Sequence, residues 1–232
     1  MAIVTGASSG IGYAVAEMML EKGMSVVVTA RSETKLQQLK TKYQQCEIVV
    51  GDIADEGLPQ KLMDTAISKF GSVDIVFNNA GVMHAASIED TDIDQMCAMV
   101  RVNLEAGVRM AYTALKHFKK QSRGHLINVS SILGTKVRPN TGVYASTKYG
   151  IEALSEALRM EVAKSGVKVS LIEPGVTETN LQSHFENHPK NVLGISEPLL
   201  PEDISRCVKF IIEQPEHVRI PVMMVLPGEQ AM

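Results

Sequence analysis

The chain has 232 residues, 23 basic and 26 acidic side chains and a formal charge of −3; 45% of it is hydrophobic and 21% charged. This is the size and balance of one globular α/β domain. Its evenly interspersed charges build no basic face for nucleic acid, and five Tyr, five Phe and no Trp leave few platforms for stacking bases. No apolar run approaches the ~20 residues that cross a bilayer. The opening MAIVTGASSG lacks a secretory pattern. Cys46, Cys97 and Cys207 are too few and too scattered for a zinc site or a disulfide framework. A reduced, cytoplasmic protein without metal, membrane or nucleic-acid partner is expected.

Taken in chain order, β-branched apolar runs at residues 2–5, 25–30, 47–50, 73–77, 125–129, 168–172 and 221–226 read as strands. Runs such as Val26-Val27-Val28 are apolar at every position, as parallel strands covered on both faces are. Amphipathic stretches at 13–22, 33–43, 59–70, 93–119 and 143–164 read as helices between them. This alternation predicts a doubly wound, mostly parallel seven-stranded sheet with helices on both faces, in one domain spanning 1–232. Residues 179–200, broken by Pro189, Gly194 and Pro198, read as a long irregular loop beyond the sixth strand, where open α/β sheets bind ligands.

Between the first strand and its helix lies Thr5-Gly6-Ala7-Ser8-Ser9-Gly10-Ile11-Gly12. A glycine cluster alone can be an ordinary tight turn. Placed before a helix that opens a βαβ unit, it lets backbone approach a pyrophosphate at the positive end of the helix dipole. Gly6, Ser8, Ser9, Gly10, Ile11 and Gly12 are therefore candidate phosphate-turn residues. The GxxxGxG spacing resembles the cofactor turn of the short-chain dehydrogenase/reductase family.

At the end of the second strand a carboxylate would hold the ribose hydroxyls of NAD(H). Ala30 stands there instead, followed by Arg31 and Ser32. Without a carboxylate to repel it, a 2′-phosphate can be bound by the guanidinium. NADP(H) is thus favoured over NAD(H), the alternative being that Arg31 is only a solvated first-turn residue. Asp52 and Ile53 follow the third strand, where members of the family clasp the adenine. Asn78-Asn79-Ala80-Gly81 follows the fourth and is similar to the family's NNAG stretch. The resemblance places Asn79, Ala80 and Gly81 beside the adenosine ribose, with asparagine side chains bracing the strands.

Tyr144 and Lys148 stand four residues apart on an expected helix, on one face and within reach of a common ligand. An ammonium beside a phenol stabilises the phenolate, so the pair reads as a tuned general acid/base. A lone YxxxK usually marks only a helix surface. Here the resemblance adds Ser131, thirteen residues upstream, as the group that hydrogen-bonds the substrate oxygen. Ser130 is its neighbour and competitor. The resemblance also adds Asn103 as the holder of a relay water. A mid-helix Asn has low propensity, and a local kink would also account for it. Pro174, Gly175, Thr177 and Thr179 match the family's PGxxxT segment, which holds the nicotinamide carboxamide.

What the resemblance implies is hydride transfer between NADP(H) and a carbonyl or secondary alcohol, with Tyr144 handling the proton. The chain resembles in particular the subgroup containing clavaldehyde reductase and the serine/3-hydroxy-acid dehydrogenases. Residues 179–200 become a substrate lid. Lys136, Arg138, His184, His188 and Lys190 would favour an anionic substrate if they face the pocket, and are otherwise solvated loop charges. The surplus apolar positions of helices 93–119 and 143–164 imply a homodimer or homotetramer. A dinucleotide-binding regulator without catalysis is the rival reading.

Overall fold

The computed structural model describes residues 1–231. Its strands are β1 (Ala2–Thr5), β2 (Val26–Ala30), β3 (Cys46–Val50), β4 (Ile75–Asn78), β5 (Gly124–Val129), β6 (Val167–Pro174) and β7 (Val222–Val225). They form one sheet in the order β3-β2-β1-β4-β5-β6-β7. Every pairing is parallel, so the sheet expected to be mostly parallel is wholly so.

Side-chain alternation within the strands sorts the core into two layers. Ile3 of β1 packs with Leu62 and Phe118 on one face, while Ala2 and Val4 pack with Met19 and Leu36 on the other. The first face carries α3 (Leu58–Phe70), and the second α1 (Gly10–Glu21) and α2 (Glu33–Lys42). Helices α4 (Ile93–Val100), α5 (Ala106–Gln121) and α6 (Gly142–Glu161) follow, with α5 and α6 on the first face.

Three departures from the expected elements matter for the site. The helix expected over 93–119 is interrupted by a π-helical turn, Arg101–Glu105, centred on Asn103. Residues 179–200 are not wholly irregular. They contain a 3-10 turn, Asn180–Gln182, and the short helix α7 (Pro189–Val192), and Leu199 makes a parallel bridge back to Thr177. A further helix, α8 (Pro201–Ile212), has no counterpart among the expected segments. Pro201 opens it, the Asp203 carboxylate accepts the Leu200 N–H at 2.7 Å, and buried Ile204, Val208 and Ile211 fix it against α1. Among the described residues no helix is long and apolar enough to cross a membrane.

Chain order reverses between β1 and β4, which places a crevice at the C-terminal ends of these strands. A buried amide network holds its far side. Asn78 Nδ2 donates to the Gly107 carbonyl at 3.1 Å and to Asn128 Oδ1 at 3.0 Å, and Asn128 Nδ2 donates to Ser155 Oγ at 2.8 Å. β4, β5, α5 and α6 are thereby tied together, the bracing expected of the NNAG asparagines. Asn128 is fully buried, so Asn128→Ala leaves Asn78 and Ser155 without their partner. A loss of about 1–3 kcal/mol is expected in chemical denaturation, with an unchanged denaturant slope.

Candidate active site

The glycine turn and the segment after β4 are knitted into one floor. Thr5 Oγ1 accepts the N–H groups of Asn79 and Ala80 at 2.9 and 3.0 Å, and Asn79 Nδ2 donates to the Thr5 carbonyl at 2.9 Å. A Cβ on Gly12 would fall 2.6 Å from Asn79 Nδ2, and one on Gly10, whose φ is +55°, would fall 3.0 Å from Thr179 Cγ2. Side chains are therefore excluded where the turn meets Asn79 and the start of 179–200. Ser9 caps α1 in extended geometry without a side-chain cap bond, and the first turn of α1 carries no acid. Its N–H groups and dipole are left for an external anion. Ser8 and Ile11 sit half-buried in the same turn. Gly6, Ser8, Ser9, Gly10, Ile11, Gly12, Asn79, Ala80, Gly81 and Thr179 thus share one end of the sheet.

Arg31 and Ser32 lie exposed beyond β2 on the same rim. Arg31 takes part in none of the ion pairs among the described residues. Ser32 caps α2 without a side-chain cap bond. Thr29 Oγ1, near the end of β2, is buried without a partner. Beyond β3, the Asp52 carboxylate accepts the Ala54 N–H at 3.0 Å and Ile53 packs into the core.

Tyr144 and Lys148 project from α6 and are only 4% and 5% exposed. Lys148 Nζ lies 5.7 Å from the Tyr144 ring centroid and donates to the Val129 carbonyl at 2.9 Å. Ser131 caps the 3-10 turn Ile132–Gly134, its Oγ accepting the Leu133 N–H at 3.2 Å. Its hydroxyl also faces the Tyr144 phenol. Burial pushes Tyr144 up to about 12, opposed by the Ser131 hydrogen bond. Burial also pulls Lys148 down to about 8, opposed by the Glu152 carboxylate. In the protein alone burial dominates and raises Tyr144, in place of the lowering expected from its lysine.

Asn103 Oδ1 accepts the Val82 N–H at 2.8 Å, while its Nδ2 donates to the Val82 carbonyl at 2.8 Å and to Thr147 Oγ1 at 3.3 Å. The side chain therefore clamps the loop after β4 to α6. The π-turn around it relaxes the regular backbone ladder, so the kink and the functional reading coincide.

Beyond β6, the Gly175 N–H donates to the Val225 carbonyl at 2.7 Å, Thr177 Oγ1 donates to the Gly175 carbonyl at 3.0 Å, and Thr179 Oγ1 accepts the Leu181 N–H at 3.3 Å. Gln230 Oε1 accepts the Val176 N–H at 2.8 Å, a brace from the C-terminal tail that local motifs do not reveal. Pro174 ends β6 at the same rim.

Over Tyr144 lies an apolar cluster of Met83, Met96, Met99, Ile132, Leu133 and Ala145, joined by Leu181 and Phe185 from 179–200. The basic loop residues divide. Lys190 pairs with Glu178 at 2.9 Å, and His188 Nδ1 accepts the Lys190 N–H at 3.2 Å. Lys136 and Arg138 line a hollow with Val137 and Tyr149 that shares Ile132 and Leu133 with the cluster. The His184 ring also meets the cluster, 4.3 Å from Phe185 and 5.4 Å from His84. Glu152 is a site neighbour that the motifs do not name, although it is the next member of the 144, 148, 152 stripe.

The likeness to known proteins runs along the whole chain. An uncharacterized oxidoreductase of Staphylococcus aureus (strain N315) is 35% identical over 229 residues, 98% of this chain and 96% of the relative. A structure of serine dehydrogenase in its closed form, complexed with NADP+, superposes with a TM-score of 0.93 at 25% identity, covering 100% of this chain and 96% of that one. A 3-ketoacyl-(acyl-carrier-protein) reductase from Brucella melitensis, complexed with NADH, gives 0.90 at 27% identity over 98% and 97% of the two chains. Residues 1–190 match the family model for short chain dehydrogenases, and with the sheet order and whole-length relatives in agreement, the chain belongs to the short-chain dehydrogenase family.

Proposed function

We propose that this protein transfers a hydride between NADP(H) and a carbonyl or secondary alcohol, with Tyr144 as the general acid/base. The observation that carries the reading is the convergence of Tyr144, Lys148 and Ser131 beside the glycine floor, under an apolar cover. The floor fits a dinucleotide: α1 opens without an acid, and a Cβ on Gly10 or Gly12 would crowd the cradle. Gly6 to Gly12 hold the pyrophosphate, Arg31 and Ser32 the 2′-phosphate, and Asp52, Ile53 and Asn79 to Gly81 the adenosine. Pro174, Gly175, Thr177 and Thr179 hold the carboxamide.

The bound cofactor supplies or accepts the hydride. Tyr144 is a phenol at neutral pH, and burial raises it further; this is the form that protonates a carbonyl oxygen. Ser131 donates a second hydrogen bond to that oxygen. Lys148 contributes positive charge behind the phenol and reaches the ribose, and the Met-rich cover excludes water. Asn103 acts by holding Val82 against α6. Residues 1–232 form one dinucleotide-binding domain in which 179–200 is the substrate lid. Exposed Tyr112, Tyr149 and Met160 on α5 and α6 support a homodimer or homotetramer.

The test is a titration of NADPH against NADH, followed by a panel of small carbonyls monitored at the nicotinamide absorbance. NADPH is expected to bind at least about tenfold more tightly and to be oxidised by a member of the panel. Failure to bind either dinucleotide would overturn the reading.

A further inference from the structure

Residues 226–230, beyond β7, belong to no motif and have no task in the hydride-transfer reading. They close nonetheless on the segment that leads from β6 into the lid. β7 pairs with the end of β6, Val225 lying opposite Pro174. Leu226 packs against the cluster over Tyr144. The Gln230 N–H then donates to the Pro227 carbonyl at 3.0 Å, a tight turn that brings Gln230 back against the protein. Gln230 is 8% exposed, uncommon burial for a glutamine, and its Oε1 accepts the Val176 N–H at 2.8 Å. Glu229, next to it, holds the returning limb of the lid. Its carboxylate accepts the Ser196 N–H at 2.5 Å and the Ser196 hydroxyl at 2.9 Å. No side chain fits between the two segments: a Cβ on Gly175 would collide with Gln230 Oε1 and fall 2.9 Å from Leu226 Cδ2 and from Pro227 Cδ.

The pairing of the Gly175 and Val176 backbone isolates what Gln230 contributes. The Gly175 N–H donates to the Val225 carbonyl at 2.7 Å, and the Gly175 carbonyl accepts Thr177 Oγ1 at 3.0 Å. The Val176 carbonyl accepts the Leu199 N–H at 3.0 Å. These partners are backbone groups or Thr177 of the segment itself. The Val176 N–H alone depends on a side chain from elsewhere, 54 positions along the chain. Val176 is 6% exposed, so water is a poor replacement for that acceptor. A buried N–H without an acceptor is costly, and the backbone shifts to find one. Such a shift would carry Gly175 and Thr177 with it. It would also reach Thr179, whose side chain lies against the glycine turn at Gly10.

We propose that Gln230 is a positioning residue for the nicotinamide end of the cofactor site, its amide oxygen fixing the 174–179 segment through Val176. The role rests on the proposed function, which assigns that segment to the carboxamide. Gln230 itself touches neither cofactor nor substrate. The adenosine end, assigned to Arg31, Ser32, Asp52 and Ile53, lies beyond β2 and β3, on the opposite half of the sheet from β6 and β7. Loss of the Gln230 bond should therefore be felt at one end of the cofactor and not at the other.

Two arms test it. On the protein alone, hydrogen exchange at the Val176 amide is expected to be slow. In Gln230→Leu, which keeps a side chain of similar size and removes the acceptor, it should quicken at least about tenfold. Gln230→Glu retains an acceptor oxygen and should restore the protection. In the second arm, binding of NADPH is compared with binding of 2′,5′-ADP, which carries the adenosine half of the cofactor and no nicotinamide. Gln230→Leu should bind NADPH about tenfold more weakly and 2′,5′-ADP within about twofold of the native protein. Gln230→Glu should recover most of the NADPH affinity.

A purely structural role has a different signature. Gln230→Leu would then weaken both ligands together or neither, and either result would overturn the proposal while leaving the proposed function in place. A Val176 amide that exchanges freely in the native protein would overturn it too. A native protein that binds neither NADPH nor 2′,5′-ADP would instead remove NADP(H) from the proposed function, and this role with it.

Discussion

Tyr144→Phe is expected to bind NADPH as the native protein does and to lose turnover by about 10²–10⁴-fold, the usual contribution of a positioned acid/base. The ring stays where it is, because Tyr144 is 4% exposed and packed among Met99, Ile132 and Ala145, and only the hydroxyl is removed. Ser131 retains its hydrogen bond from the Leu133 N–H, so the loop it caps does not unravel. Fluorescence titration of NADPH and the rate on a competent carbonyl separate the two effects. Ser131→Ala in the same background should cost little more, since residues acting on one oxygen are non-additive. Native-like turnover in Tyr144→Phe would remove Tyr144 from the chemistry.

The sheet was legible because the physics that builds it is local. Ala2, Ile3 and Val4 alternate between two cores, and such a strand must be covered on both faces wherever it lies. The glycine turn was legible for the same reason, its spacing being dictated by one strand-to-helix connection. What failed was whatever depends on distant burial. The lysine beside Tyr144 can be read from the i, i+4 spacing, but the burial that raises the phenol depends on other elements, which bring Met99 and Ile132 into its cluster. Asn103 was found, yet its partner is the backbone of Val82, and only the folded chain brings the two together. Lys190 and His188 read as pocket contacts or solvated loop charges, and their bonds to Glu178 and at the start of α7 are made by the folded loop. Helix α8 was missed despite the buried spacing of Ile204, Val208 and Ile211, because Pro198 and Pro201 extend the loop-like composition into its first turn.

Arg31→Ala is expected to weaken NADPH binding by about tenfold to hundredfold while leaving NADH within about twofold, in keeping with the loss of a charge-assisted contact to a phosphate. The residue suits such a clean experiment. It is exposed at the end of β2, next to Ala30 and the uncapping Ser32, and no ion pair among the described residues depends on it. The melting temperature should therefore not move, and any change in affinity reports on cofactor alone. An exposed guanidinium acts through solvent, where charges are screened over about 8 Å at physiological ionic strength. The native preference for NADPH should accordingly shrink as salt is raised, and in Arg31→Ala this salt dependence should largely vanish. Ala30→Asp carries the same argument in the opposite sense. A carboxylate at the strand end repels a 2′-phosphate and accepts hydrogen bonds from the ribose hydroxyls, so the preference should turn toward NADH. Equal NADPH affinity in the native and Arg31→Ala proteins at low salt would assign Arg31 to the solvated surface and leave the choice between NADP(H) and NAD(H) to other residues of the rim.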